Sequence, residues 1–255
     1  MNKTVSRAFL AAVLALGAHA ARADDSVRET RPVDAGVAKV QLGGVIQLTV
    51  HQGAVPALVL SGERRYIAQV TTTQRGTTLV IDMEPHAHIQ TNSRNALRAD
   101  LTVPNLQEFV SQGVGSAEIS GFKGDTLKVS LEGAGAVHVT GQYRDVDATL
   151  GGIGGLTLNP GQAERVALHL GGAGHIAVAG QTRVLRVELG GIGSLDAQQL
   201  RADSVDLDMA GLGGASVYAR SAANVNLSGM GSATVYGKPA TRHATTNGFG
   251  RVSWE

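Results

Sequence analysis

Three polar residues at intervals of 19 and 20 positions, His169, Glu188 and Asp208, are the best candidates for chemistry in this sequence. If one strand recurs per interval, these side chains lie side by side on a strand face, adjoined by Arg186 and Asp206. Carbohydrate-cleaving enzymes use carboxylates placed in this way as general acid and base. The row therefore supports one hypothesis, a polysaccharide lyase or hydrolase.

The same row has a simpler explanation. A strand with one face in water carries charged side chains there, and charges on exposed strands oppose aggregation. We favour this explanation and expect no catalytic residues and no enzyme.

Two tyrosines at matching positions of consecutive repeats, Tyr218 and Tyr236, are the predicted binding residues. Aromatic rings in register could stack on sugar rings or on a protein partner. A ladder of like side chains that only stabilises the sheet is the alternative.

Other motifs do not indicate a metal or a cofactor. The pattern of Gly172, Gly174 and Ala177 resembles a dinucleotide-binding motif, but no helix follows to receive a pyrophosphate. His86 and His88 could share a strand face, yet no third metal ligand is evident. Calcium-binding glycine repeats need an aspartate where this sequence has a hydrophobic residue. Those hydrophobic residues are Leu156, Ile176 and Leu195.

The motif Gly-x-Gly recurs at steps of 18 to 20 residues and defines the fold. Around it, positions two and four before the first glycine and four and six after it are apolar, which is the period of a β-strand. We expect each repeat to bury about five side chains, including the residue between the glycines. The first glycines are Gly113, Gly133, Gly152, Gly172, Gly191, Gly211, Gly229 and Gly248. The residues between the glycines are Val114, Ala134, Ile153, Ala173, Ile192, Leu212, Met230 and Phe249.

Such units bury their apolar face only by stacking on one another, so the sequence predicts an all-β protein, a parallel β-helix with rungs of 19 to 20 residues. Right-handed crossovers are the usual form. We expect one continuous domain over 36–255, with a regular region over 113–255. In the divergent region over 36–112, Gly44 is expected to start a rung, three or four further rungs are expected before Gly113, and some strands are expected to pair antiparallel.

The N-terminus has the features of a secretory signal peptide. Lys3 and Arg7 precede an apolar run over 8–18, and small residues indicate cleavage after Ala20 or Ala23, of which we favour Ala23. Residues 24–35 are predicted to be a flexible arm. The sequence has no cysteine and no membrane-spanning run, and its 22 cationic side chains balance 21 acidic ones. We therefore expect an exported protein, periplasmic or extracellular, that binds neither nucleic acid nor anionic membranes.

The strand segment over 37–50, the Gly-Val-Gly-Ser-Ala sequence over 113–117 and the later rungs with Gly231, Ser232 and Ala233 resemble a known bacterial family. It is the putative autotransporter adhesin head domain, or GIN domain family (DUF2807). The resemblance covers roughly residues 33 to 253 and implies an extracytoplasmic β-helical module. A complete autotransporter also has a membrane barrel, which we do not expect after these rungs, so the resemblance does not imply self-export through the outer membrane and a periplasmic location stays open.

These observations predict a noncatalytic cell-envelope or surface module that binds a glycan or a surface protein in the manner of an adhesin. Two alternatives stay open: an enzyme that uses the His169 row, and a structural spacer.

Overall fold

The computed structural model describes residues 26–84 and 97–255. His86 and His88 and the predicted signal peptide lie outside the described residues. The described part contains one short helix and nineteen strands. They are β1 (Ser26–Arg31), β2 (Lys39–Leu42), β3 (Gln47–Gln52), β4 (Ala57–Glu63), α1 (Arg64–Ile67), β5 (Val70–Arg75), β6 (Thr78–Met83), β7 (Arg98–Val103), β8 (Glu108–Ser111), β9 (Val114–Leu131), β10 (Ala134–Leu150), β11 (Ile153–Asn159), β12 (Gln162–Leu170), β13 (Ala173–Val178), β14 (Gly180–Leu189), β15 (Ile192–Met209), β16 (Leu212–Leu227), β17 (Met230–Tyr236), β18 (Thr241–Thr246) and β19 (Phe249–Trp254).

From β8 onward the chain is a parallel β-solenoid, which confirms the predicted fold class. Each rung consists of a strand before the Gly-x-Gly corner and a strand after it, and each strand pairs in parallel with its equivalent in the next rung. The corners stay in register, because Gly135 pairs with Gly154 and Gly154 with Gly174. Long strands such as β9 and β10 run from one corner to the next.

The inward rows form one continuous core. From the Gly113 rung to the Gly229 rung, positions two and four before the first glycine are buried, as Leu150 and Leu168 illustrate, and so are positions four and six after it, as Val137 and Val235 illustrate. In the last rung, at Gly248, the two positions before the glycine are exposed and the two after it are half-buried. Each inward side chain therefore packs on its counterparts in the neighbouring rungs, as the two-residue period predicts.

The N-terminal part follows a different order from the predicted one. The strands β2 and β3 pair on one side with β8 and β9, and Val45 bridges to Val114, so the rung that starts at Gly44 is confirmed. On the other side the same two strands pair with β6 and β7. Thus the Gly113 rung stacks directly on the Gly44 rung, and the expectation of three or four intervening rungs is wrong.

The intervening residues instead build one rung and a cap. The expected antiparallel pairing is present: β5 runs antiparallel to β6, and β4 runs antiparallel to both β7 and β1. These antiparallel strands cover the end of the parallel solenoid, so its last parallel edges are not left open.

The prediction of a flexible arm over residues 24 to 35 is wrong for residues 26 to 31. They form β1, which pairs with β4 over its whole length. Arg31 anchors this strand, because its guanidinium donates hydrogen bonds to the carbonyl oxygens of Val70, at 2.6 Å, and Ile67, at 3.2 Å. The division of the chain into domains stays a prediction.

The first glycine of each corner is required by the closeness of successive rungs. A Cβ added to Gly172 would lie 2.0 Å from the carbonyl oxygen of Gly152, which receives the hydrogen bond from the backbone N–H of Ala173. The second glycine, such as Gly174 with φ of 158°, is also in a backbone conformation that favours glycine. Glycine at these two positions therefore keeps the ladder of backbone hydrogen bonds intact around the corner.

Tyr143 fills the opposite corner of its rung. Its ring is buried, Cβ atoms added at Gly124 and Gly141 would each lie 3.0 Å from it, and its hydroxyl donates to the carbonyl oxygen of Leu106 at 3.0 Å. Burial raises the pKa of the Tyr143 hydroxyl well above its ordinary value, because the phenolate would lose its hydration.

We predict that Gly172→Ala destabilises the protein by roughly 1–3 kcal/mol, because the new methyl group collides with backbone rather than with a movable side chain. Gly171→Ala is the matched control. A Cβ at Gly171 meets no atom within 4 Å, so we expect a change within about 0.5 kcal/mol. Urea unfolding midpoints measure both effects, and equal midpoints for the two variants would contradict this account of the corner.

We predict that Tyr143→Phe costs about 1–3 kcal/mol at neutral pH, because the buried carbonyl of Leu106 loses its donor. Since the folded state raises the pKa of this hydroxyl, its stabilising contribution is present below about pH 10 and is lost as the pH rises further. Urea midpoints at increasing alkaline pH should fall more steeply for the original protein than for Tyr143→Phe. Parallel curves would show that the hydroxyl is not coupled to folding.

Candidate functional site

The residues between the corner glycines lie on the surface, so the prediction that they are buried is wrong. Ile153 is 66% exposed, Ile192 61% and Phe249 84%, and Val114, Leu212 and Met230 are also exposed. Ala134 and Ala173 are half-buried. Consecutive members pair rung to rung, so together with Val45 they form a continuous row. We call this row of nine residues the apolar ladder.

Strand geometry explains the exposure. Even-numbered positions from the first glycine point inward, and the residue between the glycines occupies an odd-numbered position. Its apolar side chain suggested a place in the core, but the alternation of inward and outward side chains along the strand places it on the surface. Contiguous exposed apolar side chains are a common mark of a binding surface.

A row of glycines and small residues runs beside the apolar ladder. Immediately before the first glycine stand Gly151, Gly171 and Gly190 in three consecutive rungs, followed by Ala210 and Ser228. All five residues are exposed. We call this row the glycine floor. It leaves the backbone of the corner accessible over five rungs.

The polar row predicted from the sequence borders the floor on the other side. Thr149, His169, Glu188, Asp208 and Asn226 pair in succession across five rungs. The structure brings the candidate catalytic residues together: Nδ1 of His169 lies 3.1 Å from Oε2 of Glu188, and Nδ2 of Asn226 donates to Oδ1 of Asp208 at 2.8 Å. Arg186 and Asp206 pair next to them, as expected.

The three rows line an open trough along the solenoid axis. A groove of about 920 Å³ lies over the floor and the ladder from Gly151 to Phe249, and an adjoining groove of about 570 Å³ lies between the floor and the polar row from His169 to Ser228. Binding sites for small ligands have volumes of about 300–1,000 Å³. One wall of the trough is apolar, the other is polar and acidic, and backbone forms its base.

The predicted tyrosine pair lies elsewhere. Tyr218 pairs with Tyr236 across two rungs, and both rings are half-buried rather than fully exposed. The guanidinium carbon of Arg201 lies 4.7 Å from the centre of the Tyr218 ring, which makes a cation–π contact. Tyr218 lies six positions after Leu212 of the apolar ladder along one strand, a distance of about 20 Å. The tyrosines thus form a second, separate surface.

Within residues 26–84 and 97–255, no group of three or more acidic, histidine or cysteine side chains is placed to hold a metal ion. Across the same residues, no helix has both the length and the apolar character needed to cross a membrane.

The fold and the trough define a class of protein, the β-solenoids that display rows of side chains on a regular face. The sequence matches the family described as "Putative auto-transporter adhesin, head GIN domain" over residues 37–239, and the chain belongs to this family. The resemblance noted from the corner motifs is thereby confirmed.

Solved structures share the fold at low sequence identity. A "putative adhesin" from Bacteroides fragilis is 20% identical, with 90% of this chain and 97% of that chain covered and a TM-score of 0.69. A "putative adhesin" from Parabacteroides merdae is 15% identical, with coverages of 91% and 96% and a TM-score of 0.76. A "putative lipid binding protein" from Parabacteroides distasonis is 17% identical, with coverages of 89% and 96% and a TM-score of 0.71. No curated protein matches the chain.

We predict that Ile192→Thr together with Leu212→Thr leaves the free energy of unfolding within about 1 kcal/mol of the original, because both side chains already face solvent. The same double variant should bind markedly less 8-anilinonaphthalene-1-sulfonate, whose fluorescence reports exposed apolar surface. Leu189→Asp is the contrasting variant, since Leu189, three residues before Ile192, is buried, and it should unfold the protein. Unchanged dye fluorescence in the double variant would show that the ladder is not an accessible apolar surface.

Proposed function

We propose that this chain is an exported, noncatalytic binding module that holds a partner at the cell envelope or surface through the trough at its glycine corner. Membership of an adhesin head family supports the binding role. The observation that carries the proposal is the uninterrupted apolar ladder, because a soluble fold with so large a buried core has no structural need to expose a row of Ile, Leu, Met and Phe side chains.

A catalytic role for the polar row is less well supported by its surroundings. The Glu188 side chain is 70% exposed and its contact with His169 is on the surface. A general acid for glycosidic bonds is normally held in an apolar pocket that favours its protonated form. The row is better suited to hydrogen bonding than to proton transfer.

The Tyr218 and Tyr236 surface is a second candidate for partner binding. The guanidinium of Arg201 lies over one face of the Tyr218 ring and adds a cation to this aromatic surface. Its distance from the trough allows the two surfaces to be tested separately.

The deciding experiment incubates the protein, without its predicted signal peptide, with polysaccharides, peptidoglycan and matrix proteins, and measures both retained protein and released fragments. We predict retention without fragments, reduced at least ~10-fold in affinity by Ile153→Asp with Ile192→Asp. Tyr218→Ala with Tyr236→Ala should retain binding if the trough is the contact surface.

Each contrary outcome has a distinct meaning. Loss of retention only in the tyrosine variant would move the contact surface to the tyrosines. Fragments that disappear in Glu188→Gln would establish catalysis and overturn the binding-module proposal. Retention of nothing from the panel would favour a structural spacer.

A further inference from the structure

The fold does not require glycine at three positions of the trough. A Cβ at Gly171 or Gly190 would meet no atom within 4 Å, and at Gly151 the nearest atom would be the carbonyl oxygen of Leu131 at 4.0 Å. None of the three has a positive φ. Other rungs carry Gln112 and Glu132 at the same position, so side chains fit there. The corner glycines next to them differ, since backbone contact excludes a Cβ there.

From this arrangement we infer that the trough binds a neutral, unbranched glycan that lies along the solenoid axis, with its sugar rings over the glycine floor. This inference rests on the proposed function and specifies the ligand. A flat polymer needs close access to the backbone across several rungs, which three consecutive glycines provide. The five rungs of the floor span about 19 Å at the ~4.8 Å strand spacing, a length that suits several sugar units in an extended chain.

The polar wall requires hydrogen-bond donors from its ligand. Glu188 and Asp208 are carboxylates, which accept hydrogen bonds through both oxygens. Sugar hydroxyls both donate and accept, so they can pair with these carboxylates and also with Asn226. An acyl chain would cover the same acceptors without pairing them, at an energetic cost.

The apolar wall suits the C–H face of sugar rings. Ile153, Ile192 and Leu212 stand on the opposite side of the floor from the carboxylates, so a ligand in the trough meets one apolar and one polar wall. A β-1,4-linked pyranose carries C–H groups on its ring faces and hydroxyls on its edges, so a ring that packs one face on the apolar ladder can direct edge hydroxyls to the carboxylates. Its repeat length is close to the rung spacing. Successive sugar units can therefore meet equivalent side chains in successive rungs.

An extended peptide is a poorer match. The backbone N–H groups of the corner are already used between rungs: those of Gly171 and Gly172 both donate to the carbonyl oxygen of Leu150, and that of Ala173 donates to Gly152. Peptides that add to sheets rely on free backbone groups of an edge strand. A peptide lying across the rungs would leave its own N–H and C=O groups poorly paired against the apolar wall.

A second copy of this chain is also a poorer match. Packing of one trough on another would bury Glu188 and Asp208 of both copies, and buried carboxylates are costly unless they are paired. Charge narrows the ligand class further. Glu188 and Asp208 would repel an anionic polysaccharide, so the ligand is a neutral one.

The test measures binding of three neutral hexasaccharides by isothermal titration calorimetry: those of β-1,4-linked glucose, mannose and N-acetylglucosamine. Palmitate, and a hexasaccharide of α-1,4-linked galacturonate as an anionic chain, are the comparison ligands. Gly171→Gln with Gly190→Gln fills the floor. Thr157→Gln is the matched control, because it places the same side chain on an exposed position of the second strand.

We expect at least one neutral hexasaccharide to bind, with affinity reduced at least ~10-fold in the floor variant and unchanged in Thr157→Gln. The galacturonate chain should bind more weakly than the neutral sugar. The inference is overturned if no neutral hexasaccharide binds, if palmitate binds more tightly, or if filling the floor has no effect. Loss of partner retention in the Ile153→Asp with Ile192→Asp variant, without sugar binding, would refute the glycan and leave the proposed function intact.

Discussion

The structure depends on the close approach of backbone to backbone at the glycine corner. From Gly113 to Gly211 the carbonyl oxygen of each first glycine accepts a hydrogen bond from the next rung. At Gly152, for example, a Cβ on the first glycine of the next rung would lie 2.0 Å from this oxygen. This contact recurs at every corner of the regular region, so successive rungs cannot slip relative to one another. A shift of one residue would place a side chain against a carbonyl and would turn the whole inward face outward.

The fixed register organises the surface as well as the core. The inward rows stack into a continuous apolar interior, and the outward rows stack in the same way, so His169, Glu188 and Asp208 lie in a line although they come from three rungs. A binding surface on this fold is therefore built from rows, and a ligand that follows the axis meets the same chemistry at each step. The trough combines three such rows: the apolar ladder, the glycine floor and the polar row.

Antiparallel strands cover the N-terminal end of the described solenoid. At the N-terminal end the chain leaves the rung of β2 and β3, builds β4 to β7 and returns to β8 on the other side. The antiparallel strands β1, β4 and β5 cover that end, and Arg31 connects β1 to the backbone of the segment around Ile67 and Val70. The antiparallel strands are confined to this end. The trough lies beyond them, on the rungs that repeat without interruption.

The sequence alone determined the solenoid, its rung length and the four inward rows, because each rung contacts only its neighbours and the repeat therefore encodes the pairing. It also placed His169, Glu188 and Asp208 in one row. The order of β6 and β7 relative to β2 and β3 was decided by tertiary structure, since pairing between distant segments leaves no period in the sequence. Tertiary structure also decided the exposure of the apolar ladder. Isoleucine is typical of protein cores, and only the path of the backbone through the corner shows that Ile153 and Ile192 face solvent. The same holds for Gly171 and Gly190, which look like the structural glycines beside them until the space around each Cβ is known.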